Sequence, residues 1–268
     1  MITHLSVSQL GMFQRCGEQY RRRYIELEVI PPGIAARIGT GVHKAAEINY
    51  RRKLESGQDM PLDAFQDAAA DAYHKSIQEG VFFAPDEVAG AKIALAEGKD
   101  TAVALAGLYR REVTPTVQPA LIEERITIEL PGVDIPIVTV LDLYTVDKSL
   151  RDLKTTGKKW AEAKAHTSHQ PTAYREAIKA ATGEEPASIQ FDVLVSTKTP
   201  ALQSLLTTRT DNDTAILSRQ FGLMLAALHA GIFLPAEPDA WVCGPKWCGY
   251  FYTCPYISMH RKCLPNAA

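Results

Sequence analysis

No stretch of this sequence approaches the roughly 18 consecutive apolar residues of a membrane span. The opening residues, MITHLSVSQLGMFQRC, lack the basic start, apolar core and cleavage site of a secretory leader. These two absences lead us to expect a cytoplasmic protein with no membrane partner. An excess of charge is lacking too: 29 Lys and Arg against 31 Asp and Glu leave a net charge of −2, so any polyanion must be held by local patches. Cysteine is scarce and odd in number, five in all, which argues against a disulfide framework and makes metal or cluster ligation the first alternative. Internal repeats and low-complexity tracts are missing. What remains is an ordinary globular composition, 46% hydrophobic and 22% charged over 268 residues, enough chain for one large domain with a sizeable core.

Periodicity and punctuation divide the chain. Residues 5–30 read as helical, with Ser6 or Ser8 as N-cap, and carry Arg15, Arg21, Arg22 and Arg23 among Tyr20 and Tyr24. Arginine beside aromatic rings suits phosphate contact and base stacking, and equally a solvated helix face. Pro31-Pro32-Gly33 breaks the chain, and Gly39-Thr40-Gly41-Val42-His43 leads into a helix over 44–54, placing His43 in its first turn. An alanine-rich stretch predicts helices over 62–79 and 86–111, a helical insertion spanning 56–119. Leu121–Leu130 alternates as a strand and turns at Pro131-Gly132. A helical segment follows Gly157 as far as Ala181; Pro171 suits the first turn of a helix starting near Ser168, so Gln170 and Tyr174 share a face. Ile189–Ser196 reads as a strand, and Asp211-Asn212-Asp213 caps a helix running to His229. The order indicates an α/β domain with a mixed sheet.

The chemistry concentrates in Val138–Thr156, VTVLDLYTVDKSLRDLKTT. Asp142 falls late in an apolar run that starts near Ile135, Asp147-Lys148-Ser149 are turn residues, and Asp152-Leu153-Lys154 lie on a second run. Strand alternation sends Asp152 and Lys154 to one face, so two carboxylates and an ammonium converge at the hairpin's end. A lone carboxylate among apolar neighbours is costly without a partner or a cation. Hard oxygen ligands suit Mg²⁺ or Mn²⁺, which would activate water for phosphodiester hydrolysis while a nearby lysine orients it.

The tail, WVCGPKWCGYFYTCPYISMHRKC, carries Cys243, Cys248, Cys254 and Cys263. Their spacing is unlike the paired C-x₂₋₄-C knuckles of zinc ribbons. Thiolates suit zinc or an iron–sulfur cluster, and with Cys16 as fourth ligand the centre would tie the two ends of the chain together.

In this order the pieces resemble the PD-(D/E)XK nucleases, in the RecB-like branch of AddB-type, CRISPR-associated and phage-encoded iron–sulfur exonucleases. The resemblance runs nearly end to end apart from 56–119. It implies a restriction-endonuclease-like core, a mixed central sheet flanked by helices, in a single nuclease domain over 1–268, with 1–30 and 232–268 joined by a cysteine-ligated [4Fe-4S] cluster. His43, Asp142, Asp152 and the Leu153 carbonyl would bind Mg²⁺ or Mn²⁺, Lys154 would position water, and Gln170 with Tyr174 would steady Lys154 or the scissile phosphate. Cys16, Cys243, Cys248 and Cys254 match the cluster ligands, with Cys263 as the competitor of Cys243. Arg21, Arg22, Arg23, Lys44, Arg51, Arg52, Lys158 and Lys159 would line the DNA path. Two positions depart from the family pattern: Thr139 stands where glycine is common, and four residues rather than two separate Cys243 from Cys248. The expected activity is a metal-dependent DNA exonuclease acting at ends or on single strands, in recombination, repair or phage DNA processing within a bacterial or phage-infected cell. The alternatives are a DNA-handling subunit working with recombination or CRISPR adaptation proteins, and a zinc-stabilised scaffold.

Overall fold

The computed structural model describes residues 2–263, the side chains of His260 and Cys263 excepted. Helices α1 (Val7–Arg15) and α2 (Gly17–Tyr20) are followed by a π-helical turn at Arg21–Ile25. Next come α3 (Ile34–Ser56), α4 (Leu62–Gln78) and α5 (Ala91–Glu112). Strands β1 (Pro119–Ile128), β2 (Ile137–Thr145) and β3 (Ser149–Thr156) lead to α6 (Glu162–Thr167) and α7 (Gln170–Thr182). β4 (Ser188–Val195), β5 (Ala201–Thr207), α8 (Asp211–His229) and a short α9 (Met259–Cys263) complete the chain. The five strands lie in the order β1-β2-β3-β4-β5; all neighbours are antiparallel except β3 and β4, which are parallel and joined across α6 and α7. This is a mixed sheet in an α/β fold, consistent with a restriction-endonuclease-like core. Among the described residues no helix is long and apolar enough to cross a membrane.

Two apolar clusters sandwich the sheet. Leu10 of α1, Ala173, Ala177 and Ile178 of α7, and Leu217 and Phe221 of α8 pack with Leu141, Tyr144 and Leu150. Val42 and Ala45 of α3, Phe65 and Ala69 of α4, and Leu105 of α5 pack with Ile122, Leu143, Leu153 and Leu194. The alanine-rich stretch therefore covers one face of the sheet. Leu141 and Leu143, two apart, belong to opposite clusters, so the regular alternation of β2 slips at Asp142 between them.

Three features differ from the sequence expectations. α3 begins at Ile34, ten residues before the expected start, which puts His43 in mid-helix. Gly39 and Gly41, expected as a loop, lie inside it because they are sites of close approach: a Cβ on Gly39 would sit 3.0 Å from Thr155 Oγ1, and one on Gly41 only 2.8 Å from the Ala69 carbonyl oxygen. β5 was not expected, since its alternation is interrupted by Gln203 and Ser204. The new helix expected near Ser168 begins at Gln170 as α7, with extended backbone at Ser168 separating it from α6. Gly41→Ala separates two effects of opposite sign. Helix propensity alone would stabilise by about 1 kcal/mol, whereas overpacking a helix–helix contact costs about 1–3 kcal/mol. With backbone oxygen as the obstacle we expect the second to win, and a thermal melt should show a lower Tm; a higher Tm would overturn this account of α3.

Candidate active site

The β2–β3 hairpin pairs Leu143 with Arg151 and Tyr144 with Leu150, around a turn at Val146–Lys148 in which Lys148 takes φ +62°. Beyond Leu143 the strands part, and β3 pairs with β4 along its whole length. The Leu153 N–H, left without a β2 carbonyl, donates to Asp142 Oδ2 at 2.9 Å. The carboxylate thereby pins the mouth of the hairpin. Leu153 itself packs in the α3–α5 cluster.

Asp152, the next residue of β3 after Arg151, is almost wholly buried. Its Oδ1 accepts from the Tyr174 hydroxyl at 3.0 Å, which in turn accepts from Gln170 Nε2 at 2.6 Å. The sequence placed Gln170 and Tyr174 on one helix face, as found, but expected them to steady Lys154 or the phosphate. Here they hold Asp152, because α7 packs on the sheet with Tyr174 buried and its hydroxyl reaches that carboxylate. Lys154 Nζ lies 2.5 Å from Asp152 Oδ2. That oxygen nevertheless has no directed hydrogen bond, leaving a buried acceptor turned toward a charge.

His43 arrives from α3, its Nδ1 3.6 Å from Asp142 Oδ2 and 3.9 Å from Glu123 Oε1. Glu123 was missed by sequence reasoning. The β1–β2 ladder pairs Ile122 with Leu143 and Glu124 with Leu141, leaving Glu123 opposite Asp142 with φ +48°. A left-handed conformation costs a non-glycine residue on the order of 1–3 kcal/mol and persists where its surroundings impose it. Here it coincides with the slip of β2 and brings the carboxylate beside His43. One ligand atom each from His43, Glu123 and Asp142 lie within 4.8 Å of one another. Three hard or borderline donors and a nearby Asp152 fit a divalent cation.

The electrostatics agree with that donor set. Burial pushes Asp152 up to about 6, against the pull of Lys154. Burial also raises Asp142, opposed by His43 and Lys154. Burial alone would lower His43, but the Asp142 carboxylate and Glu123 raise it overall. Without a cation the cluster holds protons that a cation would displace.

A second cluster forms where the chain ends meet. Cys16, Cys243, Cys248 and Cys254 are unpaired thiols lining one small cavity with Glu18, Ala236, Phe251 and Ile257. Cys16 breaks α1 from α2 with an extended backbone, and its Sγ accepts from the Ala236 N–H at 3.4 Å. Gly17 N donates to Leu234 O at 2.6 Å, and a Cβ on Gly17 would lie 2.7 Å from Leu234 N, so the tail crosses at a point that admits only glycine. Burial and neighbouring sulfurs raise the Cys243 thiol, and burial raises that of Cys248. The alternative ligand Cys263 has its side chain outside the described residues.

The cations expected along a DNA path are differently engaged. Arg21 pairs with Glu18 and Glu26, and Arg22 with Glu28 and Thr253 while stacking over Tyr250. Arg23 lies over Tyr24, and Lys44 and Arg51 bind Glu47. Arg52, Lys158 and Lys159 are exposed. None of the eight lines the cleft that holds Asp142, Glu123, Gln170 and Tyr174. For Arg21 and Arg22 the reason is the acidic run Glu18, Glu26 and Glu28, which neutralises them locally.

No curated protein matches the chain. Among solved structures, a candidate exonuclease from Eubacterium rectale aligns at 15% identity over 90% of this chain and 86% of its own, with a TM-score of 0.60, a likeness that speaks for the fold. SSO0001 aligns at 13% identity over 89% of this chain and 94% of its own with a TM-score of 0.35, too low to carry an argument. The model of the PD-(D/E)XK nuclease superfamily matches residues 4–258. On that match, which spans nearly the whole chain and takes in both carboxylate-bearing strands, the protein belongs to the PD-(D/E)XK nuclease superfamily.

Proposed function

We propose that the protein is a Mg²⁺- or Mn²⁺-dependent deoxyribonuclease that removes nucleotides from DNA ends or single strands and carries a [4Fe-4S] cluster, as in the RecB-like branch. The observation that carries the reading is the gathering of Asp142, Asp152, Lys154, His43 and Glu123 where β2 and β3 part. His43, Glu123, Asp142 and Asp152 would hold the cation, with the Leu153 carbonyl as a further donor. The cation supplies Lewis-acid polarisation of the phosphate and lowers the pKa of a water. Tyr174, bonded to Asp152 Oδ1, fixes that carboxylate so that Oδ2 faces the site. Lys154, paired with the same Oδ2, keeps it ionised and orients the attacking water. Gln170 sets the Tyr174 hydroxyl.

Cys16, Cys243, Cys248 and Cys254 would ligate the cluster. Cys16 from the start of the chain lines the same cavity as the three tail cysteines, which is the ligand set this reading needs. We read the chain as one nuclease domain in which 56–119 covers the sheet and 1–30 with 232–268 frames the cluster, acting in recombination, repair or phage DNA processing. Incubating the protein with end-labelled and with circular DNA, in Mg²⁺ or Mn²⁺ and in EDTA, tests the function. Loss of nucleotides from ends in either metal alone is expected; inertness on all substrates would overturn it.

Proton–metal linkage gives a further expected result. Asp152 and His43 both have folded pKa values above their ordinary ones, so their stabilising contribution is present at low pH and lost as pH rises, through about 6 for Asp152. The metal-free protein should therefore lose stability as pH rises through about 6, and Mg²⁺ or Mn²⁺ should restore it. Thermal shifts measured with metal against EDTA should be larger above that pH than below it. Equal shifts on both sides would remove these residues from the ligand set.

A further inference from the structure

The cleft that opens on the carboxylates is about 540 Å³ and is lined from β1, β2, the first residues of α7 and the start of the chain. It contains Glu123 and Asp142 and so presents negative charge to an incoming polyanion. It also contains Arg125, two residues beyond Glu123 on β1 and beside Val140 of β2. Arg125 is exposed and, among the described residues, has neither a hydrogen bond nor an ion pair. Arg21, Arg22 and Arg51, by contrast, are all bonded to glutamates. On the same cleft stand His4, the Ser8 hydroxyl and Ser168, small polar groups that can donate to oxygen.

A guanidinium left free beside an acidic centre has a chemical reading. It offers planar, paired N–H donors to a phosphate, and it counters the repulsion that Glu123 and Asp142 exert on the strand. Resting on the nuclease reading above, we propose that Arg125, with His4 and Ser8, binds a phosphate of the DNA strand next to the scissile one. That phosphate is either an internal diester or the terminal monoester of a strand end. In the second case Arg125 would tie cleavage to the end of the strand.

The test measures binding of three single-stranded oligonucleotides of one sequence, with a 5′-phosphate, with a 3′-phosphate or with neither, by anisotropy across a salt series. Arg125→Ala and Arg125→Gln are compared with Arg125→Lys, all in an Asp152→Asn background. Losing one phosphate contact should weaken binding about tenfold and reduce the slope of log K against log salt by about 0.7. Arg125→Lys should keep the slope. A deficit with all three oligonucleotides assigns an internal diester, and a deficit confined to one phosphorylated end assigns that terminal monoester. Unchanged affinity and slope with all three would overturn the inference. Cleavage by the wild-type protein is followed in parallel: cleavage with an unchanged Arg125→Ala slope refutes the phosphate site alone, and a changed slope without cleavage refutes the nuclease reading alone.

Discussion

Asp152→Asn is expected to lower nuclease turnover by at least about a thousandfold, since several kcal/mol of transition-state stabilisation depend on the cation, and to leave the fold intact. The two halves of that expectation come from the same geometry. Asn keeps the shape and can still accept from the Tyr174 hydroxyl, so the Gln170–Tyr174–Asp152 chain survives in outline. It removes a charge that burial penalises, as the raised pKa of about 6 records. The metal-free variant should therefore melt at or above the temperature of the metal-free wild type at neutral pH, and its metal-induced shift should shrink. Full activity in this variant would remove Asp152 from the mechanism. A large fall in Tm without metal would show that Asp152 acts mainly through Lys154, as a structural ion pair.

The second large effect is expected at the far end of the molecule. If Cys16, Cys243, Cys248 and Cys254 share one centre, it closes a loop of more than two hundred residues. In the chain-entropy account a cross-link of that span contributes about 5 kcal/mol, or roughly 10–20 °C in Tm for a protein of this size. Cys16→Ser should bleach the brown colour of the purified protein, lower Tm on that scale and expose the tail to protease at Trp241–Cys254. Zinc held by Cys243, Cys248, Cys254 and Cys263 predicts the reverse pattern, a nearly silent Cys16→Ser and a severe Cys263→Ser. Iron and zinc content measured in both variants decides between them.

The parts of the site that were legible in the sequence are those written in strand alternation and local spacing. Asp142, Asp152 and Lys154 were placed together because one hairpin carries all three, and Gln170 and Tyr174 because four residues make a helical turn. Glu123 was not legible: within LIEERITIEL it stands among Glu124, Arg125 and Glu129, and alternation gives no reason to prefer it. It is distinguished by a left-handed backbone and by its position across from Asp142, both of which exist only once β1 and β2 are paired. Arg125 was hidden for the same reason, while Arg21, Arg22 and Arg23 stood out by density, and of these Arg21 and Arg22 are bonded to nearby acids. The start of α3 was misread because glycine signals both a break and a close contact. Only the presence of Thr155 and Ala69 opposite Gly39 and Gly41 shows which applies.

The crossing of the tail at Gly17 also bears on the order in which the molecule is made. The β2–β3 hairpin closes through a short turn, and its carboxylates meet as soon as it forms. The Gly17–Leu234 contact and the bond from Tyr250 to the Glu28 carbonyl join residues more than two hundred apart, so loop-closure entropy places them late. The two hairpin carboxylates, Asp142 and Asp152, are thus neighbours before the segment carrying Cys16 meets the tail. If the four cysteines hold a cluster as proposed, its binding belongs to that late step and locks in the last long-range contacts of the fold.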